Sequence, residues 1–400
     1  MRLSIIILAA GQGTRMRSDL PKVLQPLAGR SLLGHVLDVA DALRADDICV
    51  VYGHGGDAVP AAFPDTDVRW TLQAEQLGTG HAVQQAMPDT PDENQTLVLF
   101  GDVPLLRVAT LQKLLDATPV DELAVLTVDM DDPSGYGRIV RKGDNVMGIV
   151  EQKDATAREQ AISEINTGVM VCPTGKLKGW LNQLGNDNAQ GEYYLTDVIG
   201  MAVRDGVAVK GIKAETWTEV MGINDKKQLA EAERALQARL VDELMADGVG
   251  FADPARVDIR GKLVCGKDVF IDVNAVFEGD VTLGDGVTIE SNNLIRGSRL
   301  GASTVVHSNC HIEGSVTGEN CELGPFARLR PGASLANNVK IGNFVEVKKS
   351  HIADGSKVNH LTYIGDAEIG TGVNVGAGTI TCNYDGANKH KTTIGDDVFI

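Results

Sequence analysis

The stretch Leu323–Val347, LGPFARLRPGASLANNVKIGNFVEV, places an aliphatic residue at Leu323, Leu329, Leu335, Ile341 and Val347, one every six positions. Such a period is neither the roughly 3.6 of a helix nor the 2 of a half-buried strand. It is the period of short parallel strands stacked turn upon turn, each sending one apolar side chain inward. The same step runs through Ile271, Phe277, Leu283, Ile289 and Ile295, then resumes in shifted phase at Leu300, Val306 and Ile312. Small residues follow the apolar one in Leu283-Gly284, Leu300-Gly301, Leu323-Gly324 and Ile341-Gly342. A β-sandwich would alternate at two, so the chain beyond Phe251 is expected to form a parallel β-helix of hexapeptide repeats.

Upstream the texture differs. From Asp225 to Asp247 the chain is charged and free of glycine, with Leu229, Leu236, Leu240 and Leu244 on one stripe, which predicts a connecting helix. Before it, apolar runs such as DICVVYG (47–53), TLVLFGD (96–102) and LAVLTVDM (123–130) alternate with amphipathic stretches such as SLLGHVLDVADAL (31–43). That alternation predicts an α/β domain with a mostly parallel sheet. The expected organisation is a first domain over 1–226, a linker helix over 227–247 and a β-helical domain over 248–400.

Charge restricts the partners. The 400 residues carry 54 Asp and Glu against 37 Lys and Arg, a net charge of −17. Bulk attraction to nucleic acid or to an anionic membrane is excluded, so any anion site must be local. No apolar run approaches the roughly 20 residues of a membrane span, and Met1 to Ile7 lacks the flanks of a signal peptide, so a cytoplasmic protein is expected. The six cysteines show no close C-x-x-C pairing and read as small buried hydrophobes.

Directly after the apolar run Ile5 to Ile7 comes LAAGQGTRM (8–16), a glycine-rich loop of the kind that wraps phosphate. It fits neither G-x-G-x-x-G nor a Walker loop. Arg15, with Lys22 of DLPKVL (19–24), could converge on one anion, neutralising charge that develops in a phosphoryl displacement. Phe100-Gly101-Asp102 closes a strand and leaves a carboxylate at the sheet edge where open α/β folds bind ligands. Asn224 closes the domain. One carboxylate and one carboxamide suit Mg²⁺, which draws its other ligands from water and phosphate. As alternatives, Asp102 could be a turn residue and Asn224 the cap of the linker helix.

In the second half, NHLTYIGD (359–366) puts His360 and Tyr363 on the β-helix, Arg330 and Lys348 lie a few coils earlier, and CNYDGANKHKT (382–392) interrupts the hexads. Histidine titrates near neutral pH and suits a base that takes the proton shed in amide formation. A regular strand is expected to turn Glu346 away from Lys348. His307, His311 and His351 read as surface decoration.

LAAGQGTRM, DLPKVL, EQLGTGHAV, GDVPLL, GYGRIVR, INTGVM, EYYLTDVI and VMGIND, followed by the hexads, make the chain resemble, over essentially its whole length, the bacterial bifunctional N-acetylglucosamine-1-phosphate uridyltransferase and glucosamine-1-phosphate N-acetyltransferase family. The resemblance implies a Rossmann-like nucleotidyltransferase domain and a left-handed β-helix. It places uridine of UTP against Leu8, Ala9, Ala10, Gly11, Gln73, Gly78 and Thr79, with Phe100, Gly101 and Asp102 beside it. The sugar phosphate would meet Gly137, Glu151 and Asn166, with Mg²⁺ on Asp102 and Asn224. In the second domain it implies that Arg330, Lys348, Tyr363 and Asn374 bind glucosamine 1-phosphate. Ala377, Asn383 and Tyr384 would contact acetyl-CoA, with His360 as base and a homotrimer as the assembly. Gln12 departs from the lysine frequent between the loop glycines. The family pattern also runs on past Ile400 through coils that complete the acetyl-CoA pocket, so a shortened chain with impaired acetyl transfer is expected. Two alternatives remain: a single-function sugar nucleotidyltransferase with a purely architectural β-helix, and a non-catalytic scaffold.

Overall fold

The computed structural model of the chain describes residues 2–188 and 190–400, which fall into two compact units, Met1–Ala232 and Glu233–Ile400. In the strand Leu3–Ala9, Ile5, Ile7 and Ala9 enter one hydrophobic cluster and Ile6 and Leu8 another, all buried. A strand apolar on both faces belongs inside a sheet covered twice. The first cluster receives helices Leu32–Ala42 and Val108–Asp116; the second receives Thr79–Ala86, Thr174–Leu181 and Asp197–Arg204. The result is a three-layer α/β/α unit.

Among the described residues its nine strands run in the order Arg69–Leu72, Asp47–Tyr52, Leu3–Ala9, Gln95–Phe100, Glu164–Pro173, Leu123–Asp129, Val209–Lys213, Asn145–Val150, Arg138–Lys142. The chain leaves Leu3–Ala9 toward one side and later returns on the other, so the order reverses at that strand's carboxyl end. Ligands bind at such switch points. The sheet is mostly parallel in strand direction, as expected, with two reversed strands: Glu164–Pro173 runs antiparallel to both neighbours, and Asn145–Val150 pairs antiparallel with Arg138–Lys142. A connection of two residues, Gly143 and Asp144, can join only antiparallel strands.

In the second unit every apolar residue of the hexads is buried. Parallel pairing carries one face through Ile271, Ile289, Val306, Leu323, Ile341, Val358 and Val375. The shifted phase has a local cause. One corner of the coil spans five residues instead of six, from Ile295 to Leu300 and again from Ile312 to Thr317. Thr317 thus fills the inward place that the hexad pattern leaves blank, and its hydroxyl accepts from Gly301 N–H at 3.0 Å, so the buried oxygen is satisfied. The abundance of asparagine also follows from the corners. Asn274, Asn292, Asn309, Asn320 and Asn338 all have φ between 54 and 65°, a left-handed conformation that asparagine tolerates better than most residues.

Helix Lys226–Ala246 begins at Asp225, whose carboxylate accepts from Gln228 N–H at 2.8 Å. Further along, Gln237 donates to Ile259 O at 2.8 Å and accepts from Ile259 N–H at 2.7 Å, while Val241 joins the β-helix core. From Glu233 onward the helix therefore packs as part of the second unit. The reading of all six cysteines as buried is corrected: Cys265 is half-buried at a strand end and Cys382 is exposed on the loop that breaks the hexads.

His307 is not surface decoration. Coil stacking places its Nδ1 2.9 Å from Glu290 Oε1 and its Nε2 3.1 Å from Glu322 Oε1. Burial works to lower the His307 pKa, but the hydrogen bonds and charges of the two glutamates outweigh it and hold the pKa above its ordinary value. Glu290, despite its own burial, is held low by His307, and Glu322 by Lys340 first and His307 second. The histidine's contribution is complete below its unfolded pKa of about 6.5 and is lost as pH rises through the raised folded value. The carboxylates contribute fully above about 4.5 and lose their effect as pH falls through the lowered values. Partial exposure keeps the effect small. Between about pH 6 and pH 8 the thermal midpoint of the β-helix should fall about 2 °C further in wild type than in His307→Gln, read by circular dichroism. Parallel curves would refute the linkage.

Candidate functional site

At the carboxyl end of Leu3–Ala9 the chain passes through Gly11 to Gly13 into the single turn Thr14–Met16. Gly13 has φ +60°, and a Cβ there would lie 2.6 Å from Lys22 Cβ, so only glycine lets the loop close over the lysine. Lys22 Nζ donates to Asp102 Oδ2 at 2.5 Å and to Asn224 Oδ1 at 3.2 Å. Those two oxygens are brought together by a backbone bond from Ile223 N–H to Asp102 O at 2.9 Å. Because Asp225 serves as helix cap, Asn224 keeps its carbonyl oxygen for this cluster. A carboxylate and a carboxamide thus converge on one cation, here an ammonium. Arg15 stands exposed on the turn, and among the described residues it makes no ion pair.

Two clefts adjoin here, sharing Thr79, Phe100, Asp102 and Glu192. The first is lined by Leu8, Ala9, Ala10, Gly11, Gln12, Lys22, Gln73, Gln76 and Gly78. The second is lined by Tyr136, Gly137, Glu151, Asn166, Gly168, Tyr194 and Thr196. Gly101 lies beneath, where a Cβ would meet Ala9 Cβ at 3.2 Å. Strand Glu164–Pro173 slips register between Asn166 and Met170, and a Cβ on Gly168 would press into the Phe100 ring at 2.5 Å. The slip is a bulge that sets Asn166 on the cleft wall.

Burial pushes the Glu151 carboxyl up; a hydrogen bond from Thr196 opposes this, and Asp154 and Asp197 add to it by repulsion. The Tyr136 hydroxyl is also pushed up by burial, with the Arg15 charge opposing and Asp102 reinforcing. Tyr136 therefore stands within electrostatic reach of both Arg15 and Asp102.

On the β-helix, His360 is exposed at the end of strand Lys357–His360, and its Nδ1 lies 3.0 Å from Asn343 Oδ1 on the preceding coil. An amide oxygen can only accept, so in the neutral ring this contact favours the proton on Nδ1 and leaves the Nε2 lone pair free. Arg330 pairs with Glu346 at 2.8 Å. The expectation that Glu346 turns away from Lys348 is corrected: Val347 points inward, and alternation leaves Glu346 and Lys348 on the same outer face. Tyr363 follows Glu346 in register, and its hydroxyl lies 3.4 Å from Asn383 Nδ2, which also holds Asp366 at 2.5 Å. Asn374 neighbours Lys357, Ala377 is exposed just past that strand, and the exposed Tyr384 donates its hydroxyl to Gly386 O at 2.7 Å.

Residues 5–147 match the MobA-like NTP transferase domain, and residues 263–297 and 314–349 match the bacterial transferase hexapeptide (six repeats). The bifunctional protein GlmU of Aromatoleum aromaticum is 58% identical over 399 residues, covering 100% of this chain and 88% of that protein. That of Burkholderia thailandensis is 58% identical over 399 residues with the same coverage, and that of Acinetobacter baumannii strain ACICU is 56% identical over 400. The chain belongs to the bifunctional GlmU family. As a GlmU family member it is an enzyme of UDP-N-acetylglucosamine synthesis, combining acetyl transfer to glucosamine 1-phosphate with uridyl transfer to N-acetylglucosamine 1-phosphate. A match spanning the whole chain supports this bifunctional reading over the single-function alternative.

Several cleft residues escaped the sequence reading. Gln76, Tyr136, Glu192, Tyr194 and Thr196 all line the GlmU-type clefts. Glu192, Tyr194 and Thr196 belong to EYYLTDVI, where polar and aromatic residues ahead of the apolar stripe of helix Asp197–Arg204 were the available signal.

Proposed function

We propose that UTP occupies the first cleft and N-acetylglucosamine 1-phosphate the second, with the α-phosphorus of UTP at their junction beside Asp102. The observation that carries this reading is the meeting of the two clefts at Asp102, where it converges with Asn224 on Lys22. A phosphate oxygen of the sugar phosphate attacks the α-phosphorus in line, the bond to the β-phosphate breaks, and pyrophosphate leaves. The nucleophile is already anionic, so positioning and charge neutralisation suffice. Lys22 and Arg15 face the charge that builds on the phosphates. The oxygens of Asp102 and Asn224 fit Mg²⁺, which, when bound, adds further neutralisation. Gly137, Glu151 and Asn166 orient the sugar.

In the second unit His360 takes a proton from the 2-amino group of glucosamine 1-phosphate as its nitrogen attacks the thioester carbon of acetyl-CoA and the thiolate leaves. Arg330, Lys348, Tyr363 and Asn374 hold the sugar phosphate, and Ala377, Asn383 and Tyr384 contact the coenzyme. No described helix is long and apolar enough to cross a membrane, and small soluble substrates suit a cytoplasmic enzyme. Stacked coils leave flat faces that two further copies would bury, so the assembly is a homotrimer; a concentration-independent monomer in light scattering would refute that. Pyrophosphate release with UTP and a panel of sugar 1-phosphates tests the main reading. N-acetylglucosamine 1-phosphate should be preferred, and equal turnover of glucose 1-phosphate would overturn it.

A further inference from the structure

Gln73 is only 3% exposed, yet it lines the first cleft. Its side-chain Nε2 makes two bonds, donating to Gly78 O at 3.2 Å and to His81 Nδ1 at 3.1 Å. A primary amide has two N–H donors, and both are committed inside the protein. The Gly78 carbonyl can only accept, so the reversed amide would set oxygen against oxygen. His81 Nδ1 accepts in the neutral ring that carries its proton on Nε2. What Gln73 has left to offer the cleft is Oε1, an acceptor.

Backbone contacts close a clasp around this pair. Gly78 has φ +108°, and a Cβ there would lie 2.7 Å from Tyr193 O. Tyr193 N–H donates to Leu77 O and Gly80 N–H to Tyr193 O, each at 2.8 Å. The Tyr193 ring lies beside the His81 ring, with centroids 6.3 Å apart and planes tilted 35°. We infer that His81 is a base-selecting positioning residue, which holds the Gln73 carboxamide so that the nucleobase cleft presents an oxygen and not an N–H.

The ligand class follows from hydrogen-bond polarity. Uracil and thymine carry a ring N3–H between two carbonyls and donate to Oε1. Cytosine has an acceptor at N3 and would face Oε1 lone pair to lone pair. Loss of the Nδ1 acceptor leaves one buried Gln73 N–H unpaired and the Gly78 carbonyl as the single remaining hold on the carboxamide, so turned settings become populated. Uracil then loses its acceptor while cytosine gains a donor. Discrimination therefore falls from both sides, whereas a general loosening of the site would weaken both nucleotides alike.

This inference rests on the reading of the first unit as a uridyltransferase. The test measures kcat and KM for UTP, CTP and dTTP, with N-acetylglucosamine 1-phosphate and the whole chain, in wild type, His81→Leu and His81→Asn. Leucine should lower the UTP over CTP ratio of kcat/KM about tenfold or more, chiefly through the KM for UTP. Asparagine, whose Oδ1 can stand where Nδ1 stood, should restore most of the ratio, and dTTP should track UTP throughout. His81→Ala replaces leucine should the latter not fold. An unchanged ratio in the leucine or alanine variant, or no rescue by asparagine, overturns the role of His81 while wild-type turnover of UTP keeps the uridyltransferase reading intact. A wild type that turns over CTP as well as UTP overturns both.

Discussion

Asp102→Ala should lose at least about a thousandfold in uridyl transfer at every Mg²⁺ concentration, while acetyl transfer stays at the wild-type rate. The carboxylate stands at the junction of two clefts, 2.5 Å from Lys22 Nζ, with its side chain 18% exposed. Its removal acts twice. A metal ion held by Asp102 and Asn224 loses the carboxylate of that pair, and the nearly buried Lys22 ammonium, 10% exposed, keeps Asn224. Asp102→Asn separates these effects, because it keeps an oxygen for Lys22 but not the charge. Recovery of most activity in the asparagine variant would show that orientation of Lys22 matters more than charge. Wild-type turnover in the alanine variant would remove Asp102 from the reaction. Circular dichroism serves as the folding control, since the substituted side chain is outside the cores that pack the sheet.

Why some of this was legible in sequence and some was not has a physical basis in each case. The hexads were legible because each short strand offers one inward position, and filling it with Leu, Ile or Val leaves a linear trace. The trace broke at Thr317, since a threonine can fill an inward place only if another coil supplies its hydrogen bond, and Gly301 is 16 residues away. His307 was missed for the same reason: Glu290 and Glu322 lie 17 and 15 residues off and meet it only through coil register. In the first unit, Gly13 and Asp102 announced themselves because strand ends in an open α/β sheet deliver loops to one edge. Asn224 was ambiguous between helix cap and ligand because Asp225 beside it can cap equally well. Gln228 N–H bonds to Asp225, so Asp225 is the cap. The direction of Glu164–Pro173 was beyond the pattern, since buried strands read alike whether parallel or antiparallel, and the preceding hairpin decides.

His360→Ala should lower acetyl transfer by about a hundredfold to ten-thousandfold, with uridyl transfer unchanged. The geometry orients this histidine. Asn343 Oδ1, 3.0 Å from Nδ1, favours the tautomer with its proton on that nitrogen, leaving Nε2 as the free base. Asn343 sits on the neighbouring strand in register with His360, so the ring is oriented by the stacking of coils and not by a flexible loop. Asn343→Ala is the informative companion. It keeps the imidazole but frees it to rotate and to exchange tautomers, so acetyl transfer should fall by a smaller factor, about tenfold, mainly in kcat. The residues proposed to hold the sugar phosphate, Arg330 with Lys348 and Tyr363, are left in place by both substitutions, so KM for glucosamine 1-phosphate should move little. A His360→Ala variant within a few-fold of wild type would mean that solvent removes the ammonium proton and that His360 has another task. A large rise in KM with kcat preserved would instead make His360 a binding residue, and the orientation by Asn343 would then serve recognition of the sugar.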